Sequence, residues 1–201
     1  MILLLDNYDS FTWNLHHYLV QLTDEEIVVK RNDELTIEAV AAYTSIVLSP
    51  GPGLPAEAGI MPQLISNYHQ VKPILGICLG LQAIAESFGG KLTNLDSVLH
   101  GVEREVKVIK SDDRLFIDVP DKITTGHYHS WIVSPQGLPH DLEVTAKDNY
   151  GNIMACSHLV FPCSGVQFHP ESVMTEYGMK ILENWLHYCK VFNANKSEAV
   201  A

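Results

Sequence analysis

A cysteine lies between two glycines in the string GICLG, residues 76–80. Cys78 follows an apolar run and precedes a helical pattern, which is where a nucleophile elbow turns a strand sharply into a helix. The glycines remove side chains that would clash on so tight a turn, and a helix N-terminus favours the thiolate over the thiol. Because cysteine is also a common small core residue, this pattern alone leaves a catalytic and a structural interpretation open.

A candidate base and its orienting acid occur in GVQFHPES, residues 165–172. A cysteine nucleophile needs a general base, and the base needs a group that fixes its tautomer. Pro170 keeps His169 out of helical conformation, and residues two apart in an extended chain point to the same side. We therefore predict that Glu171 orients His169 for reaction with Cys78. The alternative is a structural histidine at a strand end, with the glutamate beginning the last helix.

Backbone donors are predicted in the loop LSPGPGLP, residues 48–55. Its prolines make it rigid, while Gly51 and Gly53 leave backbone N–H groups without side chains over them. Such groups could bind an oxyanion together with the N–H of Leu79, the residue after the nucleophile. The alternative is a plain turn, which proline–glycine pairs commonly form.

The elements that must position these residues alternate between strands and helices in the first half of the chain. Apolar runs at 2–6, 26–30, 45–49 and 73–78 indicate strands, with helices after Ser10, a predicted N-cap, and across 59–70. This alternation predicts an α/β fold with a mostly parallel central sheet flanked by helices.

The second half of the chain lacks this regular alternation of strands and helices. From about residue 103, short strand-like runs predict antiparallel additions to the sheet, and an amphipathic helix follows. We expect one domain, residues 1–192, and a polar, frayed tail, residues 193–201.

Composition narrows the function classes. The chain has 201 residues, a formal net charge of -11 and four cysteines without zinc-site spacing. The negative charge argues against nucleic-acid partners, and no apolar run approaches the roughly 20 residues that span a membrane. MILLLD lacks the cationic start of a signal peptide, so we expect a soluble cytoplasmic protein with reduced thiols.

Taken together, the motifs resemble those of the class I (triad-type) glutamine amidotransferases over nearly the whole chain. The segments follow the order seen in the small subunits of anthranilate synthase and aminodeoxychorismate synthase. They are DNYDSFTWNL (6–15), SPGPG (49–53), GICLGLQAIAESFGG (76–90), YHSW (128–131) and GVQFHPESVMTEYG (165–178). The resemblance implies a flavodoxin-like amidotransferase fold.

The resemblance also implies a role for each site residue. Cys78 would be the nucleophile, His169 its base and Glu171 the third triad member. The oxyanion would be bound by the N–H groups of Gly51 and Leu79. L-Glutamine would be held by Gly51, Pro52, Gly53, Gln82, Ser130 and Trp131.

By the same resemblance, the chain would hydrolyse L-glutamine and pass ammonia to a chorismate-using synthase subunit. That partner would be anthranilate synthase component I, with aminodeoxychorismate synthase component I, or service to both pathways by one shared chain, as the alternative. The partner would use Mg²⁺, whereas this chain would need no metal or other cofactor. Two alternative functions stay open: a stand-alone cysteine hydrolase with the same elbow, and a catalytically silent interaction subunit.

Three positions depart from the family pattern. Leu81 replaces the usual histidine after GICLG, Val102 stands where lysine often follows His-Gly, and His127 stands where arginine often precedes Tyr-His-Ser. None of them removes a triad member. We expect Leu81 to alter either the packing or the hydrogen bonds beneath the elbow, and Val102 and His127 to bear on partner contact or glutamine-dependent activation.

Overall fold

The apolar run at the start of the chain forms the first strand of the main sheet. The computed structural model describes the backbone of residues 1–200 and the side chains of residues 1–196. In chain order the elements are β1 (Ile2–Asp6), α1 (Thr12–Leu22), β2 (Ile27–Arg31), β3 (Ser45–Leu48), α2 (Met61–Tyr68), β4 (Ile74–Ile77), α3 (Leu79–Ser87), β5 (Leu92–Asn94), β6 (Val102–Val108), β7 (Lys122–His127), β8 (Trp131–Val133), β9 (Leu142–Asp148), β10 (Ile153–His158), β11 (Cys163–Val166) and α4 (Gly178–Val200).

The main sheet has nine strands in the order β2-β1-β3-β4-β11-β10-β9-β6-β7. The first five in this order run parallel, and each of the remaining four is antiparallel to its neighbours. Strands β5 and β8 form a separate antiparallel pair. The predicted α/β class, with antiparallel additions in the C-terminal half, is confirmed.

Helices cover both faces of the parallel strands, which explains the unbroken apolar run of β1. Ile2 and Leu4 pack in one core with residues of α1 and α4. Leu3 and Leu5 pack in a second core with residues of α2 and α3. Since successive strand residues point to opposite faces, a strand buried on both sides must be apolar at every position.

The strand order places the three predicted motifs side by side. Strands β3, β4 and β11 are adjacent and parallel, so their carboxyl ends lie at one edge of the sheet. The proline–glycine loop follows β3, Cys78 follows β4, and the segment containing His169 follows β11. In open parallel sheets this edge is where ligands bind.

Two local predictions differ from the structure. Helix α1 starts at Thr12 without a side-chain cap, and it is the Asp9 carboxylate that accepts a hydrogen bond from Phe11 N, at 2.8 Å. Ser10 therefore does not cap the helix, contrary to our prediction. Helix α4 continues past residue 193 to Val200, and Lys196 Nζ donates to Val71 O at 2.9 Å. Residues 193–200 contain no glycine or proline, so nothing in this segment ends the helix where we predicted a tail. Ala201 lies outside the described residues.

Within the described part of the chain, no helix combines the length and the apolar character that crossing a membrane requires.

Candidate active site

Cys78 lies at the turn between β4 and α3 with a strained backbone. Its φ of 53° and ψ of -101° lie outside the regions that most residues adopt, at a cost of about 1–3 kcal/mol. The turn is held by a hydrogen bond from Cys78 N to Val166 O of β11 at 2.8 Å. A Cβ at Gly80 would lie 2.6 Å from Leu48 O, so only glycine lets α3 start this close to β3. The predicted elbow is thus present in the structure.

His169 and Glu171 form a buried pair beside the elbow. His169 Nδ1 is 2.7 Å from Glu171 Oε1. The segment is a turn closed by a hydrogen bond from Ser172 N to His169 O at 3.1 Å, and not the extended chain that we predicted. A proline in the second position of a turn favours this bend, which brings the two side chains together.

The electrostatics of this pair favour a protonated imidazole. Burial by itself lowers the pKa of His169, but the interactions with Cys78 and Glu171 outweigh burial and raise the pKa to about 10. The other ring nitrogen, Nε2, is buried and makes no well-aligned hydrogen bond with any residue that the structure describes. It is therefore free to exchange a proton with a group at the thiol.

Aromatic rings fix the position of the imidazole. The centroid of the His169 ring lies 4.9 Å from that of Tyr128 and 5.3 Å from that of Phe11. Both pairs meet edge to face, the arrangement that aromatic rings prefer. Phe11 directly precedes α1, so the start of the first helix contributes to the site. Sequence reasoning did not identify either contact.

A cavity of about 270 Å³ opens beside the thiol. Its wall contains Cys78, Leu79 and all six residues that the resemblance implied for glutamine binding. These are Gly51, Pro52, Gly53, Gln82, Ser130 and Trp131. His169 and Glu171 do not line the cavity. The Gln82 amide donates to Trp131 O at 2.8 Å, which joins the first turn of α3 to the opposite wall.

Gln167 is a site residue that sequence reasoning missed. Its Nε2 donates to Cys78 Sγ at 3.5 Å, and its Oε1 accepts from Gln82 Nε2 at 3.3 Å. The hydrogen bond to sulfur gives the thiol a neutral donor. The sequence did contain a signal for this residue, because Gln167 precedes His169 by two residues and both follow β11.

Two neutral histidines lie at the cavity, His129 in its wall and His127 behind it. His127 Nδ1 and His129 Nε2 are 3.0 Å apart, and Thr125 Oγ1 is 2.8 Å from His127 Nε2. Burial lowers the pKa of His127 to about 4 and that of His129 to about 3. His127 therefore brings no positive charge to the place where the family often has arginine. Val102, the other departure on these strands, is its register partner across β6 and β7.

Leu81 is fully buried and packs away from the reacting groups. It belongs to a small apolar cluster between α3 and the antiparallel strands, with Val133, Leu142, Ile153 and Cys156 among its members. Its role in the structure is therefore packing beneath the elbow. Among the described residues, no group of three or more His, Cys, Asp or Glu side chains is arranged to hold a metal ion.

Comparison with known proteins gives consistent relatives. The family model for class-I glutamine amidotransferases matches residues 3–189. Aminodeoxychorismate synthase component 2 of Klebsiella aerogenes is 44% identical over 93% of this chain and 100% of its own length. Anthranilate synthase component 2 of Azospirillum brasilense is 45% identical over 93% of this chain and 95% of its own length. A solved structure from Thermoplasma acidophilum, described as part of a putative GMP synthase, has a TM-score of 0.87 and 26% identity, covering 98% of this chain and 96% of that one.

Proposed function

The chain belongs to the class-I glutamine amidotransferase family, and on this premise we propose that it is the glutaminase subunit of a chorismate-aminating synthase. The observation that carries the proposal is the buried His169–Glu171 pair beside the Cys78 elbow. In this pair His169 Nδ1 lies 2.7 Å from Glu171 Oε1. A nucleophile, its base and an orienting acid in this arrangement suit acyl transfer from an amide.

The first half of the reaction forms a thioester. The Cys78 thiolate attacks the side-chain carbonyl carbon of glutamine, and the carbonyl oxygen becomes an oxyanion bound by the N–H groups of Gly51 and Leu79. The intermediate collapses as the carbon–nitrogen bond breaks. His169 Nε2 gives its proton to the departing nitrogen, which leaves as ammonia.

The second half restores the enzyme. Water gives a proton to His169 and adds to the thioester carbon, again forming an oxyanion. The carbon–sulfur bond then breaks, releasing glutamate and the Cys78 thiolate. Every step uses side chains and backbone of this chain, so we propose that it needs no cofactor and that Mg²⁺ belongs to the partner.

The proposed partner is a synthase component I subunit. We propose anthranilate synthase component I as the partner and aminodeoxychorismate synthase component I as the alternative. Relatives named for each are about equally similar to this chain, so both subunits are tested. A Bacillus subtilis relative, 43% identical, is named for both activities, which supports a third form of the proposal, in which one chain serves both synthases.

The proposal is tested with Cys78→Ser and a matched control, Cys156→Ala, which changes a buried cysteine outside the cavity. With each component I subunit, chorismate and glutamine labelled in its amide nitrogen, mass spectrometry identifies the aminated product. We expect Cys78→Ser to abolish product from glutamine and to spare product from added ammonia, while Cys156→Ala keeps both.

A second measurement separates the alternative classes. A diazoketone analogue of glutamine should alkylate Cys78 and leave the other three cysteines unmodified, as read by peptide mass spectrometry. Failure to label Cys78 with the partner present would support a silent interaction subunit. Full glutaminase turnover without any partner would support a stand-alone hydrolase.

A further inference from the structure

The loop that carries Gly51 is attached to the end of β1 by a two-bond link. Asn7 N donates to Ser49 Oγ at 2.8 Å, and Asn7 Nδ2 donates to Ser49 O at 2.9 Å. Ser49 Oγ in turn donates to Pro50 O at 2.6 Å. The backbone and the side chain of Asn7 thus both hold the residues immediately before Gly51.

A third loop fixes the Asn7 amide. Asn32, which follows β2, donates from Nδ2 to Asn7 Oδ1 at 3.0 Å. Asn7, Asn32 and Ser49 are all buried. Because the Asn7 amide both donates and accepts within the protein, its orientation is determined, and buried polar groups satisfied in this way rigidify their surroundings.

Asn7 also packs against Gly51, one of the two proposed oxyanion donors. A Cβ added at Gly51 would lie 2.6 Å from Asn7 Cβ and 2.8 Å from Leu79 Cδ2. The backbone of Gly51 is therefore enclosed between Asn7 and the residue that supplies the other donor. A shift of Asn7 would move the Gly51 N–H relative to the Leu79 N–H.

We propose that Asn7 is a positioning residue that sets the Gly51 N–H for the oxyanion. The inference rests on the proposed function, because it presumes the glutaminase reaction at Cys78. Asn7 does not line the cavity beside the thiol, so it acts through the loop and not through contact with glutamine. Preorganised donors contribute because they need no movement when charge develops.

The test compares Asn7→Ala with Asn184→Ala. Asn184 is also buried, and its Nδ2 likewise donates to backbone carbonyls, those of Leu115 at 3.0 Å and Ile117 at 2.7 Å. It lies on α4, away from the cavity. Ser49→Ala is a second variant of the link, so a failure of Asn7→Ala to fold would not end the test. Thermal unfolding of all variants is recorded.

Two reactions of the same thiol are then measured. Thioester formation from glutamine develops an oxyanion, whereas alkylation of Cys78 by iodoacetamide is a displacement at carbon that develops none. We expect Asn7→Ala and Ser49→Ala to lower kcat for glutamine by about 10- to 100-fold, with KM within about threefold. Alkylation of Cys78 should keep its wild-type rate, and Asn184→Ala should keep both rates.

The outcomes separate the inference from the proposed function. Normal kcat in folded Asn7→Ala and Ser49→Ala would overturn the inference and leave the proposed function intact. An equal loss of both reactions would also overturn it, because it would indicate general damage to the elbow. A wild-type chain that forms no thioester in the presence of the partner would contradict the proposed function itself.

Discussion

Glu171 has an unusual setting for a single carboxylate. Oε1 bonds to His169, while the buried Oε2 has no hydrogen-bond partner among the residues described. An ionised carboxylate in so dry a place is stabilised by a neighbouring positive charge, here the imidazolium. The same interaction is one of the causes that raise the pKa of His169 to about 10, against the lowering by burial. Glu171 therefore keeps His169 protonated, and His169 gives this proton to the nitrogen that departs as ammonia.

We expect Glu171→Gln to lower the pKa of His169, because an amide carries no charge to favour the imidazolium. The raised pKa keeps His169 protonated as pH rises. Loss of the Glu171 charge therefore moves the alkaline limb of the kcat/KM profile to lower pH. The value of kcat should fall by about 100-fold or more. The measurement is the pH dependence of glutamine hydrolysis with the partner present.

The matched control is Glu176→Gln. Glu176 is an exposed glutamate of the same segment and accepts from Thr124 N at 2.9 Å. Its variant should keep the wild-type pH profile. An alkaline limb that stays in place in Glu171→Gln would show that this carboxylate does not control His169.

At the scale of elements, α3 holds the elbow through apolar packing on its buried side. Leu81 lies three residues after Cys78 and is fully buried against the antiparallel strands. We expect Leu81→Ala to lower the free energy of unfolding by about 2–5 kcal/mol, because it leaves a cavity. The measurements are denaturant unfolding and labelling of Cys78.

The exposed Leu159 provides the control. Leu159→Ala should change stability by no more than about 0.5 kcal/mol. The folded fraction of Leu81→Ala should still react at Cys78, because Leu81 does not line the cavity beside the thiol and packs in a different apolar cluster. Loss of labelling in folded Leu81→Ala would place this residue in the chemistry and contradict its interpretation as packing.

The elements also show why some features follow from sequence and others do not. The strands that begin at Ile2, Ser45 and Ile74 were predictable because burial on both faces demands unbroken apolar runs. The pairing of β11 with β4 joins residues about 90 positions apart, and no local pattern encodes it. The approach of Phe11 and Tyr128 to His169 depends on that pairing, which is why sequence reasoning missed it.

At the scale of the whole molecule, one wall of the cavity lacks regular structure. Residues 95–101 contain no helix or strand, and backbone hydrogen bonds from Leu95, Leu99 and Gly101 attach them to residues 127–130. Val98 in this segment lines the cavity yet is largely exposed. Because only Leu99 of this segment is a buried apolar side chain, we expect the segment to open more readily than the sheet and the partner to order it.

We therefore expect low glutaminase activity of the isolated chain and stimulation by about tenfold or more with chorismate and the component I subunit. The measurement is glutamate release with and without each of the two. Bovine serum albumin at the same concentration serves as the protein control. Equal turnover in all mixtures would contradict coupling to a partner.

The partner should bind at the carboxyl edge of the parallel strands, where ammonia is released. Val173, two residues after Glu171, is 95% exposed, and Val160 is 78% exposed. Val160 lies in the connection just before β11, at the opposite edge of the sheet from Cys78. The two valines thus offer the same substitution at opposite edges.

We expect Val173→Asp to raise the Kd for the component I subunit by about tenfold or more, since a charge would be buried at the centre of the interface. Val160→Asp should leave the Kd unchanged, and both variants should keep the wild-type rate of Cys78 alkylation by iodoacetamide. Titration calorimetry gives the Kd, and product formed from glutamine and from ammonia gives the functional consequence. The carboxyl edge is the proposed interface because only this edge brings a synthase close to the released ammonia. An unchanged Kd in Val173→Asp, an equal loss of binding in both variants, or a loss in Val160→Asp alone would contradict it.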